Sequence, residues 1–161
     1  MGLRTILTDS DPALRKQSRA VTNFDRRLHA LLDDLAETLK HANGAGLAAP
    51  QIGVLRRVCV VGFEEPIELC NPKIIVSDGT QEGAEGCLSL PGRTGLVKRP
   101  CRVTVEAQDR HGKPVVYEAE DFLARVFCHE IDHLDGTLYT DVMERFMTEE
   151  EVAALEEEED G

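Results

Sequence analysis

The chain has 161 residues, of which 42% are hydrophobic and 30% charged, and its formal net charge is −12. This length predicts one domain with a real core, and the composition is that of a folded globular protein. The acidic charge argues against nucleic-acid binders and against proteins held on anionic lipid, because both need a cationic surface. No apolar run reaches the length of a membrane span, and the first ten residues are not those expected of a secretory signal.

The acidic residues are concentrated at the end of the chain. Residues 144–161 contain nine acids and one base, a net charge of −8, which leaves −4 for residues 1–143. We therefore expect a nearly neutral main domain over residues 1–143. Residues 144–161 are expected to form an acidic C-terminal helix or tail of that same domain.

Cysteine usage points to a reducing compartment. The five cysteines are an odd number, are widely spaced and include no CxxC pair. This pattern is not that of a disulfide framework, and it predicts a cytoplasmic protein.

Three segments have helical patterns. Asp11-Pro12 has the residues of an N-cap and a first helical position, and predicts a short helix towards Arg19. Leucines at helical spacing predict a long amphipathic helix over about 23–41, which Asn43-Gly44 would end. A further helix is predicted from Asp121 to Gly136, and a capping box at 148–151 predicts a terminal helix.

The middle of the chain is rich in β-forming residues. Strands are predicted over 57–61, 67–70 and 73–76, and a hairpin is predicted with strands at 102–106 and 114–118. Helices on both sides of an antiparallel middle predict an α+β domain.

The helix after Asp121 contains the pentad His129-Glu130-Ile131-Asp132-His133, an HExxH. Histidines at i and i+4 lie on one helix face, so both imidazoles can bind one metal ion, and Glu130 can take a proton from bound water. The alternative is a pair of surface histidines with an incidental glutamate. The longer metalloprotease pattern fails here, because Tyr139 stands where its third histidine would be.

A better third ligand lies upstream, in the segment 85–89 with the sequence EGCLS. Cys87 would bind as a thiolate, and two histidines with one cysteine leave a metal position open for water, as in catalytic sites. Cys128 is about 100° around the helix from His129 and is not expected to share the metal. A third segment, GAGLAAPQ at 44–51, fits no phosphate-binding motif and is equally well explained as a helix C-cap followed by a loop.

Together, GxGLAAxQ at 44–51, EGCLS at 85–89 and HEIDH at 129–133 closely resemble the peptide deformylase family, in the family's order and spacing. The resemblance extends from the Asp11-Pro12 helix to Tyr139. It implies antiparallel β-sheets packed around a central metal-binding HExxH helix, with an N-terminal helix and a short acidic C-terminal helix.

The resemblance also implies a reaction. The family removes the formyl group from the N-terminal formylmethionine of newly synthesised polypeptides and releases formate. The implied metal ligands are Cys87, His129 and His133, with Fe²⁺ the expected ion and Zn²⁺, Ni²⁺ or Co²⁺ possible in preparations. Metal-bound water would attack the formyl carbonyl, with Glu130 as general base and then acid.

Three further site residues are implied by their motif positions. The Gln51 side-chain amide and the Leu88 backbone N–H would stabilise the oxyanion, and the Gly46 carbonyl would accept from the substrate amide. Helical spacing predicts that the methionine pocket is lined by the residues three, four and seven positions before His129, which lie on the same helix face, and motif positions add two residues at its border. These residues are Phe122, Arg125 and Val126 on the helix, with Ala45 and Glu85 at the border. The alternative for Phe122 and Val126 is ordinary core packing.

Two further hypotheses stay open at this point. An HExxH metallopeptidase would share the chemistry but cleave internal peptide bonds, and a structural metal protein or inactive relative would bind metal without turnover. For partners, we expect N-formylmethionyl peptides, no direct nucleic acid and no membrane, and a monomer. Some members of the family dock on ribosomal RNA through a basic C-terminal helix, and the acidic residues 144–161 predict that this chain does not.

Overall fold

The computed structural model describes residues 2–8 and 10–160, with side chains described to residue 157. The end of the predicted acidic tail, comprising the side chains of Glu158, Glu159 and Asp160 and all of Gly161, lies outside the described residues. In the described chain the helices are α1 (Arg26–Ala42), α2 (Asp121–Leu134), α3 (Tyr139–Val142) and α4 (Glu149–Asp160). The strands are β1 (Gly46–Ala48), β2 (Val58–Val61), β3 (Ile67–Asp78), β4 (Gln81–Cys87), β5 (Leu90–Arg99), β6 (Arg102–Gln108), β7 (Pro114–Glu120) and β8 (Arg145–Phe146).

The strands form two antiparallel sheets, which confirms the predicted α+β class. One sheet has the order β1-β2-β3-β6-β7 and the other has the order β4-β5-β8. Helix α1 covers one face of the five-stranded sheet, where its leucines pack on Leu47, Val58 and Val60. Helix α2 covers the opposite face, where Phe127 packs with Cys59 and other alternate strand residues. This division follows from the two-residue alternation of side chains along a strand.

The predicted long helix is confirmed as α1. The Asp25 side chain accepts a hydrogen bond from Leu28 N at 3.1 Å and caps its first turn. Asn43 ends the helix in a left-handed conformation, with φ at 55°. The capping box before α4 is also present, because Glu151 N donates to Thr148 Oγ1 and Thr148 N donates to the Glu151 carboxylate.

The first predicted helix is shorter than expected. It is a single 3₁₀ turn, Pro12–Arg15, capped by the Asp11 side chain. The prediction that it extends towards Arg19 is wrong, because Arg19 is drawn into backbone pairing. Arg19 N donates to Leu55 O, and Arg57 N donates to Arg19 O.

The strand predictions are partly right. The hairpin β6–β7 is confirmed, whereas the segments 67–70 and 73–76 are one strand, β3, interrupted by a bulge in its pairing with β6. The strands β1, β4, β5 and β8 were not predicted. The last three of these form the second sheet, which packs on the other side of α2 through Glu85 and Val97, so that α2 lies between the two sheets.

No helix in the described part of the chain is long and apolar enough to cross a membrane.

Helix α2 is followed by a close approach to the N-terminal segment at Gly136. Gly136 has φ of +75°, and a Cβ at this position would lie 2.6 Å from Arg15 O. Gly92 has a similar φ of +77°, but a Cβ there would meet nothing within 4 Å.

This difference makes a matched pair for a stability test. We expect Gly136→Ala to lower the free energy of unfolding by about 3 kcal/mol, of which about 1 is left-handed strain and about 2 the clash. Gly92→Ala should lower the free energy of unfolding by only about 1 kcal/mol, because it adds the left-handed strain without a clash. Chemical denaturation of both variants measures this, and equal losses would contradict the proposed contact between Gly136 and Arg15.

Candidate active site

A cavity of about 370 Å³ opens where helix α2 meets β1 and the turn between β4 and β5. Eleven of the twelve side chains or backbone positions singled out from the sequence line it. They are Ala45, Gly46, Gln51, Glu85, Cys87, Leu88, Phe122, Arg125, Val126, His129 and Glu130. His133, the twelfth, lies directly behind this wall on α2 and is 1% exposed.

The three residues expected to bind metal are brought together from distant parts of the chain. Helical spacing places His129 and His133 on the same face of α2, with 3.3 Å between their Nε2 atoms. Cys87 is the last residue of β4, and its Sγ lies 3.3 Å from His133 Nε2. Among the described residues, this is the one group of three metal-binding side chains with ligand atoms within 4.8 Å of one another.

The donor set fits a transition-metal cation. Burial lowers the pKa of His133 well below its usual value and keeps the imidazole neutral, as a ligand must be. Burial also lowers the pKa of His129, but hydrogen bonds to Cys87 and Glu85 outweigh it and raise that pKa to about 10. A cation bound among these atoms would displace that proton. Two nitrogens and one sulfur suit iron, cobalt, nickel or zinc more than magnesium or calcium.

None of the other four cysteines belongs to this group, and three of them are buried. Burial raises the pKa of the Cys128 thiol to about 11 and that of Cys70 to about 11 as well. Cys59 is fully buried in the core with a raised pKa for the same reason. All three therefore behave as apolar core side chains.

The buried carboxylate of Glu85 contacts three charged or polar side chains behind Cys87, His129 and His133. Arg99 binds its carboxylate with two hydrogen bonds, from Nε at 2.8 Å and Nη2 at 2.9 Å. Arg125 Nη1 donates to the same carboxylate at 2.7 Å, and His129 Nδ1 lies 2.8 Å from it. Burial alone would raise the pKa of Glu85, but these partners lower it to about 2. The carboxylate fixes the ring of His129 and leaves Nε2 facing the metal group.

Glu130 lies on the cavity side of α2, packed against strand β1. Its carboxylate fills the space above Gly46, where a Cβ would come within 2.7 Å of Glu130 Oε2. Burial raises the pKa of Glu130 to about 7, and Oε1 has no hydrogen-bond partner. The glycine in the first motif thus makes room for the glutamate of the third.

Gln51 has a fixed orientation at the cavity wall. Its Oε1 accepts from Ala48 N at 2.9 Å, which turns the amide NH₂ group towards the site. Nε2 then donates to Ser89 Oγ at 3.1 Å and lies 3.6 Å from Cys87 Sγ. Leu88 lies beside it at the turn after β4.

The residues expected to hold methionine lie at different depths. Val126 is buried on the cavity wall, whereas Phe122 is 57% exposed at the rim and stacks on Phe63. Arg125 is buried, and its guanidinium lies across Gly83, whose missing Cβ leaves the space for it.

Sequence reasoning missed three contributors to the site. Ser89 holds the Gln51 amide, Arg99 holds Glu85 and Phe63 holds Phe122. Ser89 belongs to the EGCLS motif and could have been predicted from it. Arg99 and Phe63 belong to no local sequence pattern that indicates a site residue.

Comparison with known proteins agrees with this geometry. The sequence profile of the polypeptide deformylase family matches residues 3–149. A peptide deformylase from Acetivibrio thermocellus is 52% identical over 153 residues, covering 94% of this chain and 90% of its own length. One from Alkaliphilus metalliredigens is 54% identical over 142 residues, which is 88% of this chain and 97% of the relative's length.

Solved structures give the same result for the fold. A peptide deformylase from Legionella pneumophila superposes with a TM-score of 0.85 at 44% identity, covering 88% of this chain and 86% of that one. One from Synechococcus elongatus, in complex with actinonin, has a TM-score of 0.85 at 36% identity, covering 88% of this chain and 80% of that one. By sequence and by structure, the chain belongs to the peptide deformylase family.

Proposed function

We propose that the cavity on α2 is the catalytic centre of a deformylation reaction. Its residues bind the metal ion, transfer protons, stabilise the oxyanion or bind the substrate. The chain is a hydrolase that removes the formyl group from the N-terminal formylmethionine of newly synthesised polypeptides. The observation that carries the assignment of the site is the convergence of Cys87, His129 and His133 beside the carboxylate of Glu130.

We assign Cys87, His129 and His133 as the ligands of one divalent cation per chain, with Fe²⁺ as the expected ion. When bound, such a cation would lower the pKa of a water molecule and polarise the formyl carbonyl. Glu85 keeps the His129 ring in one orientation through its 2.8 Å contact with Nδ1. With three protein ligands, such a cation would have a further position for water or substrate, as a catalytic site requires.

Glu130 is the proposed general base and acid. It follows His129 directly in α2 and borders the same cavity, so its carboxylate is positioned beside any water that attacks the formyl carbon. We infer that Glu130 takes the proton of that water and then delivers it to the departing amine. The single carboxylate then serves both halves of the reaction.

Two donors are proposed for the oxyanion. The Gln51 amide NH₂ group is turned to the cavity because its oxygen is already bound to Ala48 N. The Leu88 backbone N–H lies at the adjacent turn, so a donor of fixed orientation and a backbone donor flank one region of the cavity.

Strand β1 offers an edge for the substrate backbone. Gly62 N donates to Ala45 O across the β1–β2 pair, and antiparallel pairing alternates its hydrogen-bonded residues. The N–H and C=O of Gly46 therefore face away from β2. We propose that the Gly46 carbonyl accepts a hydrogen bond from the substrate amide.

The proposed methionine pocket is formed by α2 and the two segments facing it. Val126 supplies a buried apolar wall and Phe122 an aromatic rim, while the Arg125 stem, Ala45 and Glu85 complete the border. An unbranched thioether suits such a pocket because it can follow irregular apolar walls.

The acidic C-terminal segment affects which partners the protein can bind. We propose that residues 1–143 form the catalytic domain and that 144–161, with its net charge of −8, is an acidic extension of it. Rejection of phosphate backbones by this segment favours action without direct nucleic-acid contact or docking on ribosomal RNA through the C-terminus. We further propose a monomer that works in the cytoplasm, where new polypeptides are made.

The function is tested by product analysis. After anaerobic purification and metal analysis, the protein is incubated with formyl-Met-Ala-Ser, acetyl-Met-Ala-Ser and unblocked Met-Ala-Ser. We expect formate from the first peptide in a one-to-one ratio with new amino groups, and no product from the others. Absence of formate with the Fe²⁺- or Ni²⁺-loaded protein, or cleavage inside the unblocked peptide as by a metallopeptidase, would overturn the assignment.

The role of Glu130 predicts a separable defect. Glu130→Gln keeps the shape of the side chain but removes the base, so kcat should fall by about 10²–10⁴-fold while metal content is unchanged. The control is Glu118→Gln, an exposed glutamate on β7, which should keep full activity. A Glu130→Gln protein with full metal and near-normal kcat would exclude Glu130 as the base.

The Glu85 network predicts a defect in metal retention. In Glu85→Gln the neutral amide cannot balance Arg99 and Arg125, so we expect metal affinity about 10–100-fold lower and unfolding free energy reduced by about 3–5 kcal/mol. Chelator competition and denaturation measure the two effects. Glu82→Gln, an exposed neighbour on the same strand, is the control. Unchanged metal affinity in Glu85→Gln would show that His129 needs no such partner.

A further inference from the structure

A second groove, of about 480 Å³, lies beside the active-site cavity, between helix α4 and the first residues of β5 together with β8. Phe146 of β8 lies in its wall and is 42% exposed, with the Arg93 guanidinium 5.7 Å from the centre of its ring. The deformylation chemistry described above makes no use of this groove.

One face of α4 forms the outer wall. The residues that line the groove are Glu149, Val152, Ala153 and Glu156, which follow the i, i+3, i+4, i+7 spacing of a single helix face. The middle of this face is small and apolar, and each end carries a carboxylate. Glu149, Ala153 and Glu156 are exposed, so this face is not used up by packing within the described chain.

The groove adjoins the active-site cavity. Gly92 and Arg93 line both spaces. A Cβ on Gly92 would meet nothing within 4 Å, so no described atom fills the space beside this shared residue. A polypeptide whose first residue occupies the cavity is therefore expected to run past Gly92 towards the groove.

The charge of the groove selects among such polypeptides. Helix α4 has eight acidic residues and no basic one. Within the described side chains, Arg145 pairs with Glu151, which does not line the groove, and no ion pair involves Glu149 or Glu156. The groove lining carries these two carboxylates and one cation, Arg93, whose guanidinium lies over Phe146. Its net negative charge favours a cationic chain and repels an RNA backbone.

We propose that this groove accepts the part of the substrate polypeptide that follows formylmethionine, and that it favours chains with lysine or arginine there. The inference rests on the proposed function of the neighbouring cavity and adds a substrate preference to it. The apolar middle of the groove takes the backbone and side-chain stems, and Glu149 and Glu156 bind the cationic ends.

The test compares peptides that differ only downstream. Formyl-Met-Ala-Ser is extended by four lysines, four serines or four glutamates, a length of about 13 Å when extended. At low salt we expect kcat/KM for the lysine peptide to exceed that for the serine peptide by about three- to tenfold, with the glutamate peptide lower than both. This preference should disappear at about 0.5 M salt, where exposed charges are screened.

Two double variants locate the effect. Glu149→Gln with Glu156→Gln should bring the lysine-to-serine ratio close to one. Glu150→Gln with Glu157→Gln makes the same change in net charge on exposed positions of α4 outside the groove, and should keep most of the preference.

The outcomes separate this inference from the proposed function. We expect formyl-Met-Ala-Ser to end before α4, so its kcat/KM should be equal in all variants. Failure to cleave it at all would count against the proposed function instead. Equal rates for the three long peptides would overturn the groove assignment. So would equal loss of preference in both double variants, since that would show a diffuse effect of net charge. A third outcome is that Glu149→Gln with Glu156→Gln keeps the lysine-to-serine ratio but no longer binds a basic partner protein. That result would assign the groove to the partner and also overturn the proposal.

Discussion

The ion pairs around Glu85 connect the separate parts of the site. Strand β4 provides the carboxylate, β5 provides Arg99, and α2 provides Arg125 and His129. Taking these charges out of water is costly, and the network is stable only because each carboxylate oxygen accepts at least two hydrogen bonds. Because Cys87 lies two residues beyond Glu85, the same contacts that hold β4 to α2 bring its thiol to the two histidines.

How much of this was predictable depends on the range of the interactions. The α1 leucines, the α2 pentad and the β6–β7 hairpin are local patterns, and the structure contains each of them close to its expected limits. Strands β4 and β5 were not predicted because Gly83, Gly86, Gly92 and Gly95 dilute the β-forming residues there. Two of these glycines have a tertiary role, which a local pattern does not reveal: Gly83 makes room for Arg125, and Gly95 makes room for Tyr139.

The same distinction applies to the site. Nine residues chosen from the three motifs and three chosen by helical spacing from His129 lie together. The need for a third metal ligand made Cys87 a candidate, and the family resemblance then implied that EGCLS lies beside HEIDH. Arg99 escaped notice because its partner Glu85 is fourteen residues away and faces it only after β4 and β5 pair. The acidic tail was visible from composition alone, but its groove face is defined by how α4 packs beside β8.

The proposed reaction depends on one metal ion held by Cys87, His129 and His133. X-ray absorption spectroscopy of the anaerobically purified protein tests this most directly, because it counts the sulfur and nitrogen atoms bound to the metal. We predict one sulfur and two imidazole nitrogens per metal ion, with the sulfur contribution lost in Cys87→Ala. A spectrum with no sulfur, or with two, would contradict the assignment of these three residues.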